Sequence, residues 1–134
     1  MLALDYGSAR CGVAVSDPTG VLATPLEPVH QPAGRKGIGK LLALVREVGA
    51  ERVVVGLPLS LSGGDSAQTQ EARDFASVLE KRLDGVPVEL YDERFTTKLA
   101  QRDGGAGSSG PRASEDSRAA AHLLSSWLER HAGA

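Results

Sequence analysis

Three consecutive valines, Val53-Val54-Val55, leave no position for a polar face, so a strand built from them must be covered on both sides. The residues around this run supply the cover. Ile38, Leu41, Leu42, Val45 and Val48 recur at three- and four-residue spacing before it, which predicts an amphipathic helix ending near Gly49. After it, Pro58 to Ser66 reads as a Gly/Ser-rich loop, and Ala72, Phe75, Ala76, Val78, Leu79 and Leu83 carry a second helix. Pro87 to Tyr91 is the next strand. Strands that alternate with helices in this way pair in parallel.

The front of the chain obeys a different rule. Leu2 to Tyr6 and Cys11 to Ser16 are short strands around the turn Gly7-Ser8-Ala9-Arg10, a connection too tight for anything but antiparallel pairing. Val21 to Val29 reads as a third strand, and Pro25 and Pro28 suit it to a sheet edge. Beyond Tyr91 the pattern predicts a short helix over 97–102 and a flexible Gly/Ser loop over 103–111. A last helix then runs from about Ser114 to Arg130 on Ala119, Ala120, Leu123, Leu124, Trp127 and Leu128. The expected fold is α/β: one domain over residues 1–134, with a mixed five-stranded sheet, antiparallel in its first three strands and then parallel, and helices on both faces.

Composition narrows the classes. With 134 residues, 41% hydrophobic and 24% charged, the chain is neither disordered, collagen-like nor membrane-spanning. The single Cys11 excludes a disulfide within the chain, and no signal-peptide pattern follows Met1, so a reducing cytoplasm is expected. Fifteen Lys and Arg against 17 Asp and Glu give a net charge of −2, so any nucleic-acid affinity has to come from a local patch or from bound metal.

Several acids stand where burial should forbid them. Asp5 closes the apolar run Leu2-Ala3-Leu4, where a carboxylate is costly unless paired, metal-bound or used to cap the Gly7 turn. Asp116 lies four, seven and eleven residues before Ala120, Leu123 and Trp127, on the stripe that faces the core. A first-turn acid serving the helix dipole is the plainer account, though Glu115 would do that equally well. Asp92 and Glu93 end a strand, and alternation sends them to opposite faces without saying which joins Asp5. Carboxylates gathered from separate elements repel one another unless divalent cations neutralise them. Oxygen ligands in this number suit Mg²⁺ or Mn²⁺. Two such ions about 4 Å apart activate a water and stabilise the leaving oxygen of a phosphodiester. His30, His122 and His131 lack ligand spacing.

Four ordered blocks carry a resemblance: DYGSARCGVAVSDP at 5–18, VVVGLP at 53–58, YDERFTT at 91–97 and DSRAAAHLLSSWL at 116–128. The chain resembles the YqgF/RuvX group of proposed pre-16S rRNA nucleases, also called Holliday junction resolvase-like, in the RNase H-like superfamily. The resemblance implies that the metal-site and catalytic carboxylates are Asp5, Glu93 and Asp116. Glu93 is preferred to Asp92 on that ground alone. It further implies substrate-binding roles for Arg10, Arg94 and Thr97; salt bridges holding strand ends are the alternative for the arginines. The D-x-G turn also occurs in actin-like ATPases, which need two large lobes that 134 residues do not supply.

Gly7 and Gly12 allow close backbone approach near the site. Gly56, Pro58 and the Ser60–Ser66 loop either border a groove or serve ordinary turn chemistry. Asp17 reads as a turn or cap residue, with support of the site from behind as the alternative, and Cys11 and Trp127 read as core. One departure stands out: the basic stretch usual in the family before the last helix is here Gly/Ser-rich, with only Arg102, Arg112 and Arg118 around it, so fewer phosphate contacts are expected.

The expected function is metal-dependent hydrolysis of phosphodiester bonds with two Mg²⁺ or Mn²⁺ ions, bound with substrate. The resemblance implies 5′-end processing of precursor 16S rRNA. Resolution of branched DNA and a non-catalytic adaptor that binds RNA or a ribosome-maturation partner are the alternatives. The expected partner is nucleic acid, with no membrane, and the chain is a monomer or a homodimer.

Overall fold

The apolar run that opens the chain forms β1 (Leu2–Asp5), the central strand of a five-stranded sheet. The computed structural model describes residues 1–7, 9–17, 22–57, 67–92 and 115–131, with the backbone alone for residues 115, 116 and 131. The other elements are β2 (Arg10–Ser16), β3 (Ala23–His30), α1 (Arg35–Val48), β4 (Val53–Leu57), α2 (Ala67–Leu83), β5 (Val88–Asp92) and α3 (Glu115–His131). The loop expected over 58–66, the short helix over 97–102 and the loop over 103–111 lie outside the described residues.

The sheet order is β3-β2-β1-β4-β5. β1–β2 and β2–β3 pair antiparallel, and β1–β4 and β4–β5 pair parallel. This is the mixed sheet expected from the turn at Gly7 and from the buried valine run. β3 takes an edge, as its prolines require. Three β2 residues (Cys11, Gly12, Val13) stand opposite four on β3 (Leu26 to Val29), so the ladder slips by one where Pro28 has no N–H to give.

Alternation divides the sheet into two faces. Leu2, Leu4, Cys11, Val13, Val53, Val55 and Leu57 pack with Ile38, Leu41 and Val45 of α1 and with Ala72, Phe75 and Leu79 of α2. Ala3, Ala14, Val54 and Tyr91 pack on the other side against Ala120, Leu123, Leu124 and Trp127 of α3. All three valines of β4 are fully buried, as their unbroken run demands. α1 ends where predicted, at Gly49 with φ 63°. No described helix is long and apolar enough to cross a membrane.

Trp127, expected as core, is buried and also polar in use. Its indole N–H donates to Glu89 Oε2 at 2.8 Å, while Arg52 reaches Glu89 Oε1 at 2.7 Å and lies 5.6 Å from the Trp127 ring centroid. This triad ties the far end of α3 to β5, which fixes the axis along which its first turn is aimed.

Candidate active site

β1 emerges from the middle of the sheet, and the side chains at its end are sorted by the pleat. Leu4 points to the α1/α2 face and Ala3 to the α3 face, so Asp5 stands on the face covered by α3. It is half-buried and has an interaction partner in the fold, so its carboxylate is not bare. Tyr6 returns to the opposite face, where its ring lies 4.6 Å from that of Phe75. Burial, followed by the charges of Glu71 and Cys11, pushes its phenol above the ordinary value. Tyr6 therefore remains neutral and belongs to the packing.

The strands beside Asp5 carry no side chain at its level. Asp5 is the register partner of Gly12 on β2. On β4 it falls one residue past the pair Leu4–Val55, beside Gly56. Gly12 lies between Cys11 and Val13 of the opposite face, and Gly56 between Val55 and Leu57 of that same opposite face, so both glycines share the α3 side with Asp5. One row back, Ala14, Ala3 and Val54 fill the corresponding positions and meet α3 directly. The α3 face thus steps from small side chains to none on either side of the carboxylate.

The start of α3 is seated at the same level. The Val13 N–H, beside the β3 slip, donates to the hydroxyl of Ser117 at 3.2 Å, and Ser117 is fully buried. Val13 neighbours Gly12, the partner of Asp5, so the backbone of Asp116 is held over the end of β1. Sequence reading assigned Asp116 to the buried stripe but missed Ser117. The signal was there: a hydroxyl three residues before Ala120 and seven before Leu124, on an otherwise apolar line.

Tyr91 packs on the α3 face, so Asp92 falls on the α1/α2 face, away from Asp5. Glu93, Arg94 and Thr97 lie outside the described residues. Arg10 opens β2 two residues from Gly12 and is exposed at the rim. Its backbone requires the glycine before it: a Cβ at Gly7 would fall 2.6 Å from the Arg10 carbonyl oxygen. Asp17 accepts from the Leu22 N–H at 3.0 Å, and its own N–H donates to the Leu22 carbonyl at 3.0 Å, which is the turn role expected of it.

A cavity of about 400 Å³ lies elsewhere, among Val45, Arg46, Ala50, Arg82 and Leu83. It sits where α1 and α2 end, at the opposite end of the sheet from Asp5, and none of the proposed site residues lines it.

A family model described as RuvX, Holliday junction resolvase, matches residues 1–130. A proposed pre-16S rRNA nuclease of Mycolicibacterium paratuberculosis is 44% identical over 136 residues, covering 99% of this chain and 81% of that protein. One from Mycobacterium ulcerans is 42% identical over 132 residues, covering 96% and 78%. Among solved structures, Thermus thermophilus RuvC in complex with a Holliday junction substrate superposes with a TM-score of 0.65 at 18% identity, covering 99% of this chain and 96% of that one. A second T. thermophilus RuvC structure gives 0.61 at 21%, covering 97% and 95%. At these identities the RuvC structures establish the RNase H-like fold.

Proposed function

Because this chain belongs to the RuvX family, we propose that it is a divalent-metal-dependent nuclease that hydrolyses phosphodiester bonds in 5′-end processing of precursor 16S rRNA. The observation that carries the reading is the row Gly12–Asp5–Gly56. A carboxylate rises from a sheet face between two residues without side chains, and the first turn of a helix carrying Asp116 is pinned nearby by Ser117. The strands on either side of Asp5 therefore put no side chain in the way of a hydrated hard cation at its carboxylate.

Asp5, Asp116 and Glu93 are the residues proposed to hold Mg²⁺ or Mn²⁺, as a pair of ions once substrate is bound. Such cations supply an activated water and neutralise charge on the leaving oxygen. The chain's own groups do the rest. Asp5 is fixed by the central strand, so its oxygens are placed before substrate arrives. Arg10 at the rim, with Arg94 and Thr97, is proposed to grip the phosphate through the planar guanidinium fork and the hydroxyl. The half-burial of Asp5 lowers the local dielectric, which strengthens attraction to a cation over what an exposed acid would provide.

The test is Asp5→Asn, which keeps shape and removes charge. Cleavage of a precursor 16S rRNA fragment in Mn²⁺ should fall at least about a hundredfold, equivalent to about 2.7 kcal/mol, with the fold intact by circular dichroism. Undiminished cleavage by the variant would refute the site. The family description favours one second reading within the same chemistry, resolution of four-way DNA junctions. Junction cleavage without RNA cleavage, at matched salt and metal, would replace the RNA assignment with it.

A further inference from the structure

The acidic residues of this chain stop at Glu27 and resume only at Glu47. Between them stand Arg35, Lys36, Lys40 and Arg46, four of the fifteen Lys and Arg of a chain whose net charge is −2. The fold places most of this basic stretch at one corner. β3 runs parallel to β1 and ends at His30, beside its register partner Arg10. The chain then turns sharply: the Gln31 N–H donates to the Ala9 carbonyl at 2.9 Å, Gln31 adopts φ 47°, and α1 begins at Arg35. Arg10, His30, Arg35, Lys36 and Lys40 are all exposed there. Arg10 is two residues along β2 from Gly12, about 7 Å from the level of Asp5.

Packing holds this corner in place. Gly37, in the first turn of α1, is buried against the turn, and a Cβ there would run into the Gln31 carbonyl oxygen and the Pro32 backbone. The helix start therefore presses onto the strand end and cannot swing away without losing that contact.

Folding does not account for the charges. A helix N-terminus favours acids, yet the first turn of α1 has none, and its cap residue is Gly34, which has no side chain to cap it. Arg35 and Lys36 stand against the helix dipole. Lys36 and Lys40, one turn apart, repel each other on the same exposed face. A group of cations arranged against local stability, at the same end of the sheet as a proposed phosphodiester site, matches a polyanion. It also supplies phosphate contacts in a chain whose 103–111 segment has no Lys or Arg.

We infer that the β3–α1 corner, comprising Arg10, His30, Arg35, Lys36 and Lys40, binds the phosphate backbone of the nucleic-acid strand flanking the cleaved bond. The inference rests on the nuclease reading for its substrate, but binding in the absence of metal tests it separately. The experiment measures fluorescence anisotropy of a short labelled single-stranded RNA in EDTA across a salt series. The probe is compared on wild type, on a triple variant (Arg35→Gln, Lys36→Gln, Lys40→Gln) and on a charge-matched control (Arg46→Gln, Lys81→Gln, Arg82→Gln). The control removes exposed cations at the opposite end of the sheet.

The corner variant should lose about tenfold in affinity at low salt. Its slope of log affinity against log salt should shrink by about 2, roughly 0.7 for each lost contact on a single strand. The control should keep the wild-type slope, and DNA of the same sequence should show the same loss in the corner variant. Equal losses in the two variants would reduce the effect to net charge and overturn the site, as would an unchanged corner variant. A loss confined to RNA would overturn the phosphate reading. Because the assay contains no metal, its failure leaves the Asp5→Asn result standing, and failure of Asp5→Asn leaves this one standing.

Discussion

The two faces of the sheet use the same strands for opposite ends. Toward α1 and α2, β1 offers Leu2 and Leu4, its neighbours offer Val13, Val53 and Val55, and the space is filled by Leu41, Phe75 and Leu79. Toward α3, β1 offers Ala3 and Asp5, flanked by Ala14, Gly12, Val54 and Gly56. The first face is large and aliphatic. The second is small, then without side chains on the strands flanking Asp5, and is tied to its helix by polar bonds at Ser117 and to β5 at Trp127. Volume on one face therefore secures the sheet, while the lack of it on the other leaves room beside a carboxylate. Leu4 and Asp5 are adjacent in sequence, yet they answer to different demands.

That contrast can be broken most directly at Leu4. Leu4→Ala, in a fully buried position, should cost about 3 kcal/mol in urea unfolding and leave cleavage by the folded fraction near wild type, the reverse of Asp5→Asn. If Leu4→Ala instead abolished cleavage at little cost in stability, the division between faces would be wrong.

Ser117→Ala tests the polar bond that seats α3. It strips the buried Val13 N–H of its Ser117 partner, so stability should fall by about 2 kcal/mol. Because the backbone of Asp116 follows that turn, Mn²⁺ affinity measured by calorimetry should fall as well. Loss of stability with unchanged Mn²⁺ affinity would make Ser117 a packing residue only.

The smallest stability effect with a functional signature is expected at Gly56→Ala. A strand glycine replaced by alanine changes stability by less than about 1 kcal/mol, and in a relaxed site raises it. A methyl group beside Asp5 should nonetheless weaken Mn²⁺ binding by about tenfold, or about 1.4 kcal/mol. Unaltered Mn²⁺ affinity would show that the clearing beside Asp5 has another purpose.

Much of this was legible in the chain. The tight Gly7 turn dictates antiparallel pairing because no crossover fits in four residues, and the valine run announces a strand covered on both faces. Pro25 and Pro28 foretell the edge because they lack ladder donors, and the helix periods foretell their buried stripes. Asp5 was visible as a candidate because a carboxylate closing an apolar strand has a desolvation cost that needs a reason. The choice between Asp92 and Glu93 was not legible, since period-two alternation separates two neighbours but does not say which face a third strand's acid occupies. The position of Ser117 on an apolar stripe was legible, but its partner was not, because the Val13 N–H comes opposite it only in the folded chain.

What the amino-acid order determined by itself was local: where strands and helices form, which turns force direction, and which charges lack a nearby reason. Tertiary structure decided the rest. Register, a property of pairs of strands, put Gly12 and Gly56 on either side of Asp5. Chain return brought α1's cations to the strand end that carries Arg10. Those juxtapositions join residues from separate elements, and only the burial of two unlike faces around one sheet brings them together.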